Sequence, residues 1–151
     1  MREICIIGIG NEIRGDDGVG PAVVRELQKG ALSQQADFFD LGGKLFEIPD
    51  LARSYPSAFI VDALPPAGDP GTITFIPWHK RWKEPVARYS LHDLDLIWQM
   101  QMAGDDAEKI WLVGVEIASL EWGVCLSPEL NRKLPDIIRT ITRQIHSLLE
   151  E

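Results

Sequence analysis

Residues 3–8, Glu-Ile-Cys-Ile-Ile-Gly, form an apolar run ending in glycine, the pattern of a strand buried on both faces. A glycine-rich loop follows. Val19, Val23, Val24 and Leu27 then recur at helical spacing, with Pro21 admissible in the first turn and Gly30 placed to end the helix. Residues 36–41 and 58–62 predict two more buried strands, separated by residues 45–53, which have room for a short helix interrupted at Pro49. Residues 72–76 alternate as a fourth strand between Pro70-Gly71 and Pro77. Only nine residues, 63–71, separate it from Asp62, fewer than a parallel crossover needs, so this strand is expected to run antiparallel. Residues 77–91 hold Trp78, Trp82 and Pro85 without any period and read as a long loop, a kind of segment often functional in compact domains. Aromatics in such a loop imply contact with another protein.

Further on, Leu94, Ile97, Trp98, Gln101 and Met102 predict a helix ending at Gly104, and residues 110–115 a fifth strand. Ser127, Pro128 and Glu129 supply an N-cap, an N1 proline and a first-turn acid for a last helix, whose buried stripe is Ile137, Ile141, Ile145 and Leu148. Pro135 is expected to kink or restart it. Strands alternating with helices imply an α/β fold, a three-layer α/β/α sandwich around a mixed sheet. At 151 residues, the chain is expected to be one domain, residues 1–151.

Composition narrows the function classes. With 15 Lys+Arg against 23 Asp+Glu the net charge is −8, which repels nucleic-acid backbones and anionic membranes alike. Cys5 and Cys125 lie far apart in apolar stretches and form neither a disulfide framework nor a thiolate metal site. The apolar start of the chain is too short for a signal-peptide core or a bilayer span. A cytoplasmic protein without membrane insertion is expected.

The most unusual stretch is Gly8 to Pro21, G-I-G-N-E-I-R-G-D-D-G-V-G-P, between the first strand and the first helix, where ligands bind in open α/β sheets. A nucleotide loop fits it poorly. A dinucleotide fingerprint needs a third glycine where Ile13 stands, and the Gly-Lys-Ser/Thr of a phosphate loop is absent. Asp16 and Asp17 also occupy the place an anion would take. The plain structural alternative has one aspartate capping the helix and the other solvated. Asp62 ends the third apolar strand, and it faces the same edge as Asp17 if strands one and three are parallel neighbours. Among the histidines, His146 belongs to the last helix and His79 to the Trp-bearing loop, whereas His92 sits where that loop meets a helix. Two carboxylates and one imidazole on separate loops of one edge make an open divalent-metal site, with positions left for water or substrate.

These residues resemble the [NiFe]-hydrogenase maturation endopeptidase family along nearly the whole chain. The similarity lies in the motif of Gly8 to Pro21, then F-F-D-L-G-G, I-V-D-A, S-L-H-D-L, and L-V-G-V-E followed by L-S-P. The resemblance implies a five-stranded mixed sheet with one antiparallel strand, and nickel ligation by Asp17, Asp62 and His92 as the catalytic and metal-binding residues. It also implies the activity: removal of a C-terminal extension from the large-subunit precursor after nickel insertion, the nickel being supplied by the substrate and no organic cofactor being needed. No Ser-His-Asp or Cys-His nucleophile is evident, since Cys5 lies inside a strand and Ser90 has no obvious partner. The turn Asp40-Leu41-Gly42-Gly43-Lys44 is one residue longer than in several relatives. There Gly42 and Gly43 admit a peptide backbone and Lys44 a substrate carboxylate, or the three form a plain tight turn. A nickel-sensing or nickel-carrying protein without proteolysis, and a nucleotide-binding module, remain the alternative function classes.

Overall fold

The computed structural model describes residues 2–78 and 109–151. Its centre is β1, Ile4–Ile9, every residue of which is buried because neighbours cover both its edges and both its faces. β2 (Ala36–Gly42) and β3 (Ser57–Leu64) flank it in parallel, β5 (Ile110–Glu116) adds in parallel to β3, and β4 (Ile73–Pro77) closes the far edge antiparallel to β5. The order β2-β1-β3-β5-β4 is the expected mixed five-stranded sheet with one antiparallel strand.

The strand register places Asp62. β1 pairs with β3 only as far as Gly8 opposite Val61, whereas β5 continues along β3 through Asp62, Ala63 and Leu64. Asp62 is therefore the first residue of β3 beyond its last partner on β1. The chain leaves β1 toward β2 on one side and returns to β3 on the other, so Asp62 lies at the crevice where the strand order reverses.

Alternation along the strands sorts the core into two faces. Ile4, Ile6, Phe59, Val61, Val113 and Val115 face α1 (Val19–Leu27) and α3 (Pro128–Leu149). Cys5, Ile7, Ile9, Ala58, Ile60 and Leu112 face α2 (Ile48–Arg53) with Leu45 and Tyr55. This is the three-layer arrangement. α3 runs through Pro135 as one helix of 22 residues, without the predicted restart, held by Ile137, Ile141 and Ile145 on the sheet. The helix predicted to end at Gly104 lies outside the described residues.

Trp78 corrects an expectation. It is only 6% exposed and packs with Ile76 in the α2-side core, so it is a core residue and no docking aromatic. The strand period carries on from Ile76 to Trp78, two residues apart, and the intervening Pro77 hid it. Trp82, expected beside it, lies outside the described residues.

Candidate active site

The first loop folds tightly because its backbone has other backbone to lie against. Residues 15–18 form a 3-10 turn that leads directly into α1, and this turn packs on β3. At Gly20 a Cβ would stand 2.3 Å from the Ile9 carbonyl oxygen and 2.5 Å from that of Val61, so only glycine lets the start of α1 sit on the ends of β1 and β3. That glycine serves chain packing, not the approach of a phosphate.

Asp16 and Asp17 are both buried, at 1% and 4% exposure, and neither side chain caps α1. The structural alternative, one aspartate capping the helix and the other solvated, is thus set aside. Asp16 reaches across the molecule. Its Oδ2 accepts from the backbone N–H groups of Ala118 and Ser119, both at 3.0 Å, and from the Ser127 hydroxyl at 2.9 Å. Its Oδ1 accepts from the Ser127 N–H at 2.6 Å. Ser127 Oγ in turn accepts from the Leu130 N–H at 3.3 Å and caps α3 as expected. One carboxylate therefore ties the turn after β1 to the segment between β5 and α3. Only the partners, more than a hundred residues away, reveal this role.

Asp17 accepts from the Asn11 N–H at 2.9 Å, and Asp62 Oδ1 from the Ala63 N–H at 2.8 Å. Asp62 is fully buried and lies inside β3, two residues before its end, rather than closing the strand. β5 explains the difference, because its pairing extends β3 past the point where β1 turns away. The turn carrying Asp17 packs on the strand carrying Asp62, and both follow the last paired residues of β1 and β3.

The turn after β2 joins the same edge. The Gly10 N–H donates to the Gly42 carbonyl at 3.0 Å, and Gly42 takes φ +57°, a conformation that favours glycine. Gly43 has nothing within 4 Å of its would-be Cβ, and Lys44 is exposed. His92 and His79 lie outside the described residues, so the third expected ligand has no position here. Among the described residues no group of three or more His, Cys, Asp or Glu is placed to hold a metal ion. Cys5 is buried and its thiol is pushed up to about 12, first by burial and then by Asp37, which leaves it in the wrong state for a nucleophile. Cys125 is exposed, contrary to its apolar sequence context.

A residue that sequence patterns alone did not single out is Glu116, at the end of β5. Its Oε2 accepts from the N–H groups of Ala67 at 3.0 Å and Asp69 at 2.6 Å, which folds the connection between β3 and β4. The motif L-V-G-V-E held the signal, an acid ending an apolar strand.

The family model of hydrogenase maturation proteases matches residues 21–144. The chain belongs to the hydrogenase maturation protease family. It is 25% identical to the hydrogenase expression/formation protein HupD of Rhizobium leguminosarum bv. viciae, over 95% of this chain and 74% of that protein. It is 26% identical to HupD of Thiocapsa roseopersicina, over 90% of this chain and 64% of that protein. Its fold is similar to that of the hydrogenase maturating endopeptidase HybD from E. coli, with TM-score 0.74 and 22% identity over 97% of this chain and 93% of that one. The [NiFe] hydrogenase maturation protease HybD from Thermococcus kodakarensis is similar at TM-score 0.75 and 22% identity, over 95% and 99%. As a hydrogenase maturation protease the chain is a hydrolase. Among its described residues, no helix is long and apolar enough to cross a membrane.

Proposed function

We propose that this maturation protease removes a C-terminal extension from the nickel-loaded precursor of a [NiFe]-hydrogenase large subunit, in the cytoplasm. The observation that supports the reading is that two buried acids, Asp17 and Asp62, sit on a turn and a strand that pack together where β1 and β3 part. A family of proteases needs a group to activate water or the scissile carbonyl, and the described residues put acids, not a reactive thiol, at this edge.

Nickel belongs to the substrate here, and when bound it supplies Lewis-acid chemistry to a carbonyl or a water. Two carboxylates with the imidazole of His92 suit a divalent ion of intermediate softness, and three protein ligands leave positions open. Burial strengthens what Asp17 and Asp62 do, because a carboxylate away from water attracts a cation through a lower effective dielectric. The Asn11 and Ala63 N–H groups fix the orientation of the two carboxylates before substrate arrives. The open face at Gly43 lets a peptide backbone lie along the edge, and the Lys44 ammonium is available to a substrate carboxylate. Nucleic acid and inserted membrane are not partners in this reading.

The test uses nickel-loaded and nickel-free precursor with wild-type protein. Shortening of the loaded form alone supports the reading. Stoichiometric nickel in dialysed protein, with precursor left uncut, points instead to a carrier.

A further inference from the structure

The carboxyl edge has a neighbour that the candidate site does not use. Segment 11–15 and segment 119–125 run side by side, joined by Gly15 N–H to the Gly123 carbonyl at 2.7 Å and Gly123 N–H to the Ile13 carbonyl at 3.1 Å. Burial of their backbones together does not bury their side chains. Ile13 is 58% exposed, Leu120 54%, Trp122 70% and Val124 82%. Of the six large apolar side chains exposed among the described residues, four lie on these two short segments. The guanidinium of Arg14 stands 5.0 Å from the centroid of the Trp122 ring, which holds the indole in place on the surface. Asp16 fixes both segments from beneath through Ala118, Ser119 and Ser127. Val124 also borders a cavity of about 200 Å³ between α1 and α3, whose wall includes Glu12, Arg25, Cys125 and Leu134.

We infer that this ridge is the docking surface for the body of the large-subunit precursor, a role that rests on the function proposed above. Three features choose that occupant. Four exposed apolar side chains are few beside the roughly 20–30 residues a side of a stable complex. So small a surface suits a protein that must bind, be cut and leave better than a permanent second copy. Secondly, Glu12 beside the ridge is already paired with Arg25, but Glu121 adds an exposed carboxylate on a chain of net charge −8, which complements a partner surface carrying Lys or Arg around an apolar centre and repels an anionic lipid surface. Thirdly, the ridge is continuous with the candidate site, because Asp17 follows Asp16 in the same 3-10 turn. Trp and Arg, stacked here on one another, are also among the residue types most enriched in the contacts that dominate binding.

The experiment measures binding and cleavage of full-length nickel-loaded precursor by wild type, Trp122→Ala and Val124→Ser. Both positions are exposed, and an unchanged melting temperature verifies folding. The Kd and the precursor concentration for half-maximal cleavage are expected to rise about tenfold in Trp122→Ala and less in Val124→Ser, with the maximal rate unchanged. Unchanged binding in both variants overturns the docking surface. Wild type that binds precursor without cutting it, and loses that binding on Trp122→Ala, supports the surface while refuting the proposed activity. Self-association of wild type that Trp122→Ala abolishes, with precursor binding intact, assigns the ridge to a second copy and overturns the inference.

Discussion

Asp16 and Asp17 are adjacent and both buried, yet the turn that carries them puts them in two different regions. Asp16 belongs to a structural junction, where it gathers the N–H groups of residues 118, 119 and 127 and the Ser127 hydroxyl. Asp17 belongs to the crevice with Asp62, close to the point where β1 and β3 part. Removing a carboxylate from the first region should cost folding, and from the second, activity. Burial alone does not distinguish a catalytic acid from a clamp. What the acid is bonded to does.

The largest effect is expected at the crevice. Asp17→Asn, Asp62→Asn and His92→Ala should each lower precursor processing at least about a hundredfold, because a weakened ligand set loses more than an outer-shell contact, itself worth about 10–100-fold. Asparagine keeps shape and an acceptor at the two buried positions, where alanine would also disturb folding. Melting curves should stay close to wild type, and near-normal processing by two of the three variants would remove them from the site.

Next comes a control inside the core. Trp78→Ala, which the sequence pattern alone would have weakening docking, should instead cost about 3–5 kcal/mol of stability, as buried Trp truncations do. Urea unfolding reads this directly. A normal midpoint would return Trp78 to the surface.

The junction itself comes third. Asp16→Ala strips the acceptor from three backbone N–H groups, each costing about 1–3 kcal/mol when left buried and unsatisfied. Water recovers part of this, so about 3 kcal/mol is expected, a fall in melting temperature of about 6–12 °C for a chain of this size. Cleavage of precursor by the folded fraction should persist. A loss of activity without loss of stability would reverse the assignments of the two aspartates.

The smallest effect is a pH dependence located away from both regions. The Cys5 thiol is raised from 9.0 to about 12 by burial, and the Tyr55 hydroxyl from 10.0 to about 12, chiefly by its 2.6 Å hydrogen bond to Asp37. Both groups hold their protons more tightly folded than unfolded. Their contribution is therefore complete below about pH 9 and is lost as pH rises toward 12. Thermal unfolding at pH 8 and pH 10.5 should show the decline, and Tyr55→Phe should make it shallower. A steeper decline in that variant would contradict the sign.

How much of the fold and the site is legible in the sequence depends on whether the signal is local. The apolar runs of β1, β3 and β5 are buried on both faces wherever they sit, so their patterns announce the strands, and the nine-residue connection settles that β4 runs antiparallel. The Ser127 cap of α3 is equally local. Gly8 to Pro21 marks the site-bearing loop through its glycines and acids. Assigning Asp17 and Asp62 to one edge needs only that strands one and three be neighbours.

Other features depend on partners distant in sequence. The division of labour between Asp16 and Asp17 rests on hydrogen bonds to residues 118, 119 and 127, and no pattern within a turn can encode which of two aspartates points to them. Trp78 reads as a loop aromatic because Pro77 breaks the local alternation, and only packing against the α2 layer shows it to be core. Trp122 carries no local signal, since its exposure follows from how segment 119–125 pairs with segment 11–15. Local sequence thus determined the elements, their order and the loop that bears the site, because hydrophobic period, capping and chain length act over a few residues. Tertiary structure decided which acids, which indoles and which surfaces do what, because burial and hydrogen-bond partners are set by elements that meet only in the folded chain.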